Sequence, residues 1–183
     1  KHVVIRTLAD LIGSIFFVWS LVLLPLTVLS SIIQAIPLAV TAGAALILKE
    51  KVGLRRWSAI FVGFIGVMII IRPSADGFEI GAILALFMVA SLTIRDLATR
   101  RMKSDLPSLT LSIYAFLAFG AAGIISLGID TTLVPLNTKQ MLWFGFAILF
   151  ATSAYFCIVI STRIGDASVV APFRYSRLVF ALI

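Results

Sequence analysis

The sequence is poor in charge. Only 13% of its 183 residues are Asp, Glu, Lys or Arg, whereas 61% fall in the hydrophobic set. A soluble domain carries about 25% charged residues. Mean hydropathy is +1.16. So few charges cannot cover a water-facing surface, which excludes a disordered chain and a water-soluble enzyme. Cysteine is represented by Cys157 alone and histidine by His2 alone. A disulfide scaffold and a His-based metal cluster are therefore excluded. Also missing are Gly-x-Ser-x-Gly, His-Glu-x-x-His and a phosphate-binding loop. No catalytic residue, metal site or cofactor is expected, and the chain is not read as an enzyme.

What is there is a series of long apolar stretches. A membrane-spanning helix needs about 20 mostly apolar residues. Seven stretches approach that: Leu8 to Leu24, Thr27 to Leu48, Trp57 to Ile71, Ile80 to Ile94, Leu109 to Leu127, Met141 to Ile160, and Ala167 to the end. No sustained alternation of apolar and polar residues argues for a transmembrane barrel. The expected fold class is an all-α membrane protein. Pro25, the segment Arg72-Pro73-Ser74-Ala75-Asp76-Gly77, and the segment Ser104-Asp105-Leu106-Pro107-Ser108 punctuate the spans. The chain starts at Lys1 and stops inside an apolar run, and it reads as an internal piece of a longer protein.

The net charge is +7. Basic residues in membrane proteins gather in cytoplasmic loops, so the excess signals orientation rather than nucleic acid. Alternating the loops across the bilayer puts eleven of the 15 basic residues on one side and two, Arg72 and Lys139, on the other. The basic side is predicted to be cytoplasmic, and the cell (inner) membrane is the expected location. Arg174 and Arg177 fall within the last stretch.

An internal repeat is also visible. At an offset of 140 residues Phe16 falls on Phe156, Val18 on Ile158 and Gln34 on Arg174. That offset spans five helices, so equivalent helices run in opposite directions, as in the inverted repeats of secondary transporters.

Two segments carry a resemblance. One runs from Pro37-Leu38-Ala39-Val40 through Leu48-Lys49-Glu50-Lys51 to Trp57, followed by Gly63-Phe64-Ile65-Gly66-Val67 and Arg72-Pro73. The other is Ala167-Ser168-Val169-Val170-Ala171-Pro172-Phe173-Arg174-Tyr175. Together they resemble EamA-type transporters of the drug/metabolite transporter superfamily. The resemblance implies a ten-helix fold of two inverted five-helix repeats, with both ends cytoplasmic. Residues 1–73 would supply the last three helices of the first repeat. Residues 74–183 would supply the first four of the second, the last of them truncated.

Intramembrane polar groups are costly and so are the candidate site residues. Gln34 lies midway along the second stretch, as an interhelical hydrogen-bonding group or a cavity-lining donor. Arg174 and Arg177 share a helix face, beside Tyr175, and Arg174 with Gln34 is expected to contact a polar or anionic part of a solute. Pro37 and Pro172 interrupt spans and can shape a cavity. The resemblance suggests a structural or gating role for Glu50. Asp10 reads as an interfacial carboxylate, solvated or paired with a nearby basic residue such as Arg6, with proton coupling as the other reading, and Asp96 with Arg100 as a helix-surface pair. Gly43, Gly63 and Gly66 read as close helix contacts. Trp19, Tyr114, Tyr155 and Tyr175 can line a cavity, although isolated aromatics in spans more often pack. The expected function is secondary transport of a small metabolite or drug-like solute by alternating access, with a proton or an exchanged solute as possible coupling partner. The other reading is a non-transporting structural subunit of a membrane assembly.

Overall fold

A computed structural model describes residues 2–71, 79–102, 107–127 and 135–164, together with Phe173. These residues form helices α1 (His2–Leu23), α2 (Leu26–Ile33), α3 (Ala35–Ile47), α4 (Leu54–Ile71), α5 (Ile80–Arg101), α6 (Ser108–Ser126) and α7 (Thr138–Ile164). No strand occurs among the described residues. Helices α2 and α3 together make one span, so six helical segments are long and apolar enough to cross a membrane. The expected seventh, from Ala167, lies outside the described residues.

Each span matches an apolar stretch, and several run past it. Helix α1 begins at His2 rather than Leu8, and α5 continues to Arg101 rather than stopping at Ile94. The added turns hold Arg6, Arg95 and Asp96, which are buried or nearly so. Two of the buried hydroxyls are satisfied within their own helices: Ser14 donates to the Asp10 carbonyl (2.6 Å) and Thr41 to that of Pro37 (2.8 Å). In lipid no water can accept these protons, so donation to a backbone carbonyl four residues back keeps the polar group satisfied.

The break between α2 and α3 falls at Gln34, whose backbone N–H donates to the Ser31 carbonyl at 3.1 Å. Pro37 explains it. Proline has no N–H for the Ile33 carbonyl and its ring crowds that oxygen, so the helix is interrupted one turn earlier. Pro37 then sits in the first turn of α3, where it is tolerated.

Helix α5 is central: it packs along α1 and also meets α2, α3 and α7. Small residues let it approach closely. A Cβ placed on Gly13 of α1 would lie 2.8 Å from Leu92 of α5, and one on Gly43 of α3 would lie 2.6 Å from Leu97. These leucines fill glycine notches, the small-residue contact that drives helix association in membranes. Gly63 of α4 meets Leu38 of α3 in the same way, but Gly66 has nothing within 4 Å. Gly66 is therefore not a close contact among the described residues. The core around α5 consists of Leu29, Ile32, Ile36, Val40, Ala85, Met88 and Val89. The first half of α7 is exposed throughout.

Candidate functional site

Four helices converge on a buried cluster of charge. Arg6, on α1, is 1% exposed. Its Nε donates to Thr99 Oγ1 on α5 (3.0 Å), its Nη1 to the Leu111 carbonyl on α6 (2.9 Å) and its Nη2 to the Tyr155 hydroxyl on α7 (3.1 Å). One turn along α1, Asp10 is fully buried and pairs with Arg6 at 3.5 Å. Asp10 also accepts from Arg95 Nη1 (3.1 Å) and from the Tyr155 hydroxyl (3.2 Å). Arg95 Nε donates to Asp96 Oδ1 (2.8 Å), and its Nη2 lies 2.8 Å from the same oxygen in an ion pair. The Arg95 guanidinium lies 5.9 Å from the centre of the Tyr155 ring, a cation–π distance. Two guanidiniums face two carboxylates, so the cluster is neutral.

The pairing is a physical necessity. An arginine at the centre of an inserted helix costs about 2.5–3.5 kcal/mol even on lenient scales. Buried ions persist only when opposite charges and hydrogen bonds offset their lost hydration, and here each of the four has an oppositely charged partner within 3.5 Å.

The cluster borders a cavity of about 820 Å³, within the usual ligand-site range of roughly 300–1,000 Å³. Helix α1 contributes Gly13, Ser14 and Phe17, and α5 contributes Met88, Leu92 and Arg95. The α2–α3 break adds Ile33, Ile36 and Pro37, α6 adds Phe119, and α7 adds Tyr155, Cys157, Ile158 and Ser161. The Phe119 and Tyr155 rings meet edge to face at 5.9 Å. The walls are thus aromatic and aliphatic, with one guanidinium, one phenol and two serine hydroxyls among them. A second cavity of about 370 Å³ between the C-terminal ends of α1 and α6 is almost wholly apolar and includes Trp19.

Of the residues singled out from the sequence, Pro37 lines the larger cavity. Gln34 is half-buried at the helix break, between lining residues Ile33 and Ile36. Glu50 does not reach the cavity; it accepts from Arg100 Nε at 2.6 Å and ties the α3–α4 connection to the end of α5. Pro172, Arg174, Tyr175 and Arg177 lie outside the described residues. The Arg6–Asp10 pair forms as expected, but it is buried rather than interfacial. Asp96 is likewise a buried partner of Arg95 rather than an exposed group on a helix surface. Tyr155 lines the larger cavity and, beyond what the sequence suggested, joins the charge cluster.

Comparison with known proteins places the chain beside transporters. It is 31% identical over 178 residues to the riboflavin transporter of Vibrio cholerae, covering 95% of this chain and 58% of that protein. It is 25% identical over 190 residues to the S-adenosylmethionine uptake transporter of Rickettsia prowazekii, covering 98% and 60%. It is 24% identical over 196 residues to an uncharacterized transporter of Helicobacter pylori, covering 100% and 63%. The chain spans about three-fifths of the length of these curated relatives. No family model matches it, and no solved structure matches it significantly. The apolar helices and these likenesses together define an integral membrane protein related to membrane transporters. The relatives are named as transporters rather than enzymes.

Proposed function

We propose that the chain forms the middle of an EamA-type secondary transporter that moves a small metabolite across the inner membrane. The observation that carries this reading is the open cavity of about 820 Å³ lined by α1, the α2–α3 break, α5, α6 and α7, with Arg95 and Tyr155 in its wall. A structural subunit would pack its polar groups away in pairs. Here the charges are paired, yet two members of the cluster still face open space. The names of the relatives support a small solute carrying a heteroaromatic ring, since riboflavin and S-adenosylmethionine both do.

In this proposal residues 1–73 belong to one five-helix repeat and residues 74–183 to its inverted counterpart. The two rock about the cavity in alternating access, with the basic loops cytoplasmic and a proton or counter-solute as the coupling partner. Gln34 and Pro37 sit at the break between α2 and α3, where a helix can flex, and Glu50–Arg100 latches the loop beyond it. The test is a solute-uptake screen of the complete protein in vesicles, with and without a proton gradient. Uptake of a heteroaromatic metabolite, lost when the cavity is filled by Cys157→Trp, is the expected result. Absence of uptake for every solute class would overturn the reading.

A further inference from the structure

Resting on that transport reading, we infer that Arg95 is a solute-contacting residue of the cavity and that it selects an uncharged, planar acceptor over an anion. A guanidinium carries five N–H groups. Asp96 accepts from Nε of Arg95 and lies against its Nη2, and Asp10 accepts from Nη1. One N–H on each terminal nitrogen remains, and Arg95 is the one cationic group in the lining of the cavity among the described residues. A ring carbonyl or ring nitrogen can therefore accept from Arg95 without displacing either carboxylate.

Among the described residues the charge count favours one class of acceptor. Asp10 and Asp96 balance Arg6 and Arg95, so the cluster offers an anion a directed hydrogen bond but no net attraction. An anion would also lose its hydration on entering a wall made largely of Phe17, Phe119, Met88 and Leu92. A flat uncharged ring loses little by the same step and lies against aromatic faces. Tyr155 acts here as a positioning residue. Its hydroxyl accepts from Arg6 and donates to Asp10, which fixes the ring beneath the Arg95 guanidinium.

The experiment uses the complete protein purified in detergent and matched ligand pairs: riboflavin against riboflavin 5′-phosphate, and guanosine against its 5′-monophosphate. Binding is read by calorimetry. At least one uncharged member is expected to bind at least about tenfold more tightly than its phosphorylated twin. Arg95→Lys, which keeps the charge but loses the planar donor set, should weaken that binding by about tenfold or more. Asp10→Asn leaves the cluster one positive charge in excess, and should narrow or reverse the preference by at least about tenfold in favour of the phosphorylated member. Asp96→Asn provides a second, independent variant with the same expected direction, and melting curves identify any variant that fails to fold. Equal or tighter binding of the phosphorylated members by the unaltered protein would overturn the inference. So would an unchanged preference in both carboxylate variants, or no binding of either uncharged member. Uptake of some other solute in the vesicle screen would then leave the transport reading standing on its own.

Discussion

Replacing Arg6 with Met tests whether the charge cluster holds the helices together. The guanidinium bonds to α5, α6 and α7 from α1, and it is 1% exposed. Methionine fills similar space without a charge. Its neighbours do not all become orphans: the Thr99 hydroxyl still donates to the Arg95 carbonyl, and that of Tyr155 still donates to Asp10. What is lost outright is charge balance around Asp10, which keeps Arg95 but loses its second guanidinium. Removing one partner from a buried ion pair costs about 3–5 kcal/mol. The variant is expected to lose that much in reversible unfolding of the complete protein in mixed micelles. Arg6→Lys keeps the charge but not the planar donor set, and should lose roughly half as much. The double variant Arg6→Met with Asp10→Asn restores neutrality and should cost less than the sum of its parts, by a coupling of about 1–3 kcal/mol. A loss below about 1 kcal/mol for Arg6→Met, or strict additivity in the double variant, would refute the reasoning.

The glycine notches give a paired expectation: Gly63→Ile overpacks against Leu38 and should cost about 1–3 kcal/mol in the same assay, whereas Gly66→Ala faces open space and should change little. Pro37→Ala returns an N–H to the Ile33 carbonyl. It should raise stability by about 1 kcal/mol while weakening solute binding, because straightening the helix moves Ile33 and Ile36 in the cavity wall. Cys157 lines the cavity and is the sole cysteine, so maleimide labelling should be slowed by a transported solute; an unchanged rate under saturating solute would count against the cavity as the site. Single cysteines at Ser104 and Asn137 in a Cys157→Ser background should react with impermeant reagent from opposite faces of the membrane, and labelling from one face would reject the topology.

The spans were readable because hydropathy over 20 residues is a strong local signal. Their ends were less so, for a physical reason. A charged residue in a sequence reads as the edge of a span, yet Arg6, Asp10, Arg95 and Asp96 neutralise one another inside the helices. Two of the basic residues assigned to the cytoplasmic side, Arg6 and Arg95, are therefore buried in the cluster rather than sitting in loops. The break at Gln34 was foreshadowed by Pro37. The role of Tyr155 was not, because its partners Arg6 and Asp10 lie 149 and 145 residues away in the chain. A usable clue was the four-residue spacing of Arg6 and Asp10, together with Arg95-Asp96 arriving on the same side of the membrane. Opposite charges at the ends of two antiparallel spans are candidates to meet.

The way the four charges are distributed between helices also bears on how the protein is made. Arg6 and Asp10 sit one turn apart on α1, and Arg95 and Asp96 are adjacent on α5. Each helix thus carries its own counter-ion. Asp10 and Arg95 are 85 residues apart, so during synthesis α1 leaves the ribosome long before α5 exists. A lone guanidinium or carboxylate would have to wait at the translocon for its distant partner. A self-neutralised helix can pass sideways into lipid at once, and the bond between Asp10 and Arg95 then forms between two segments already resident in the bilayer. Neutralising either residue alone, as in Asp10→Asn, removes that freedom from α1 before any question of binding arises, and the amount of inserted protein would register it first.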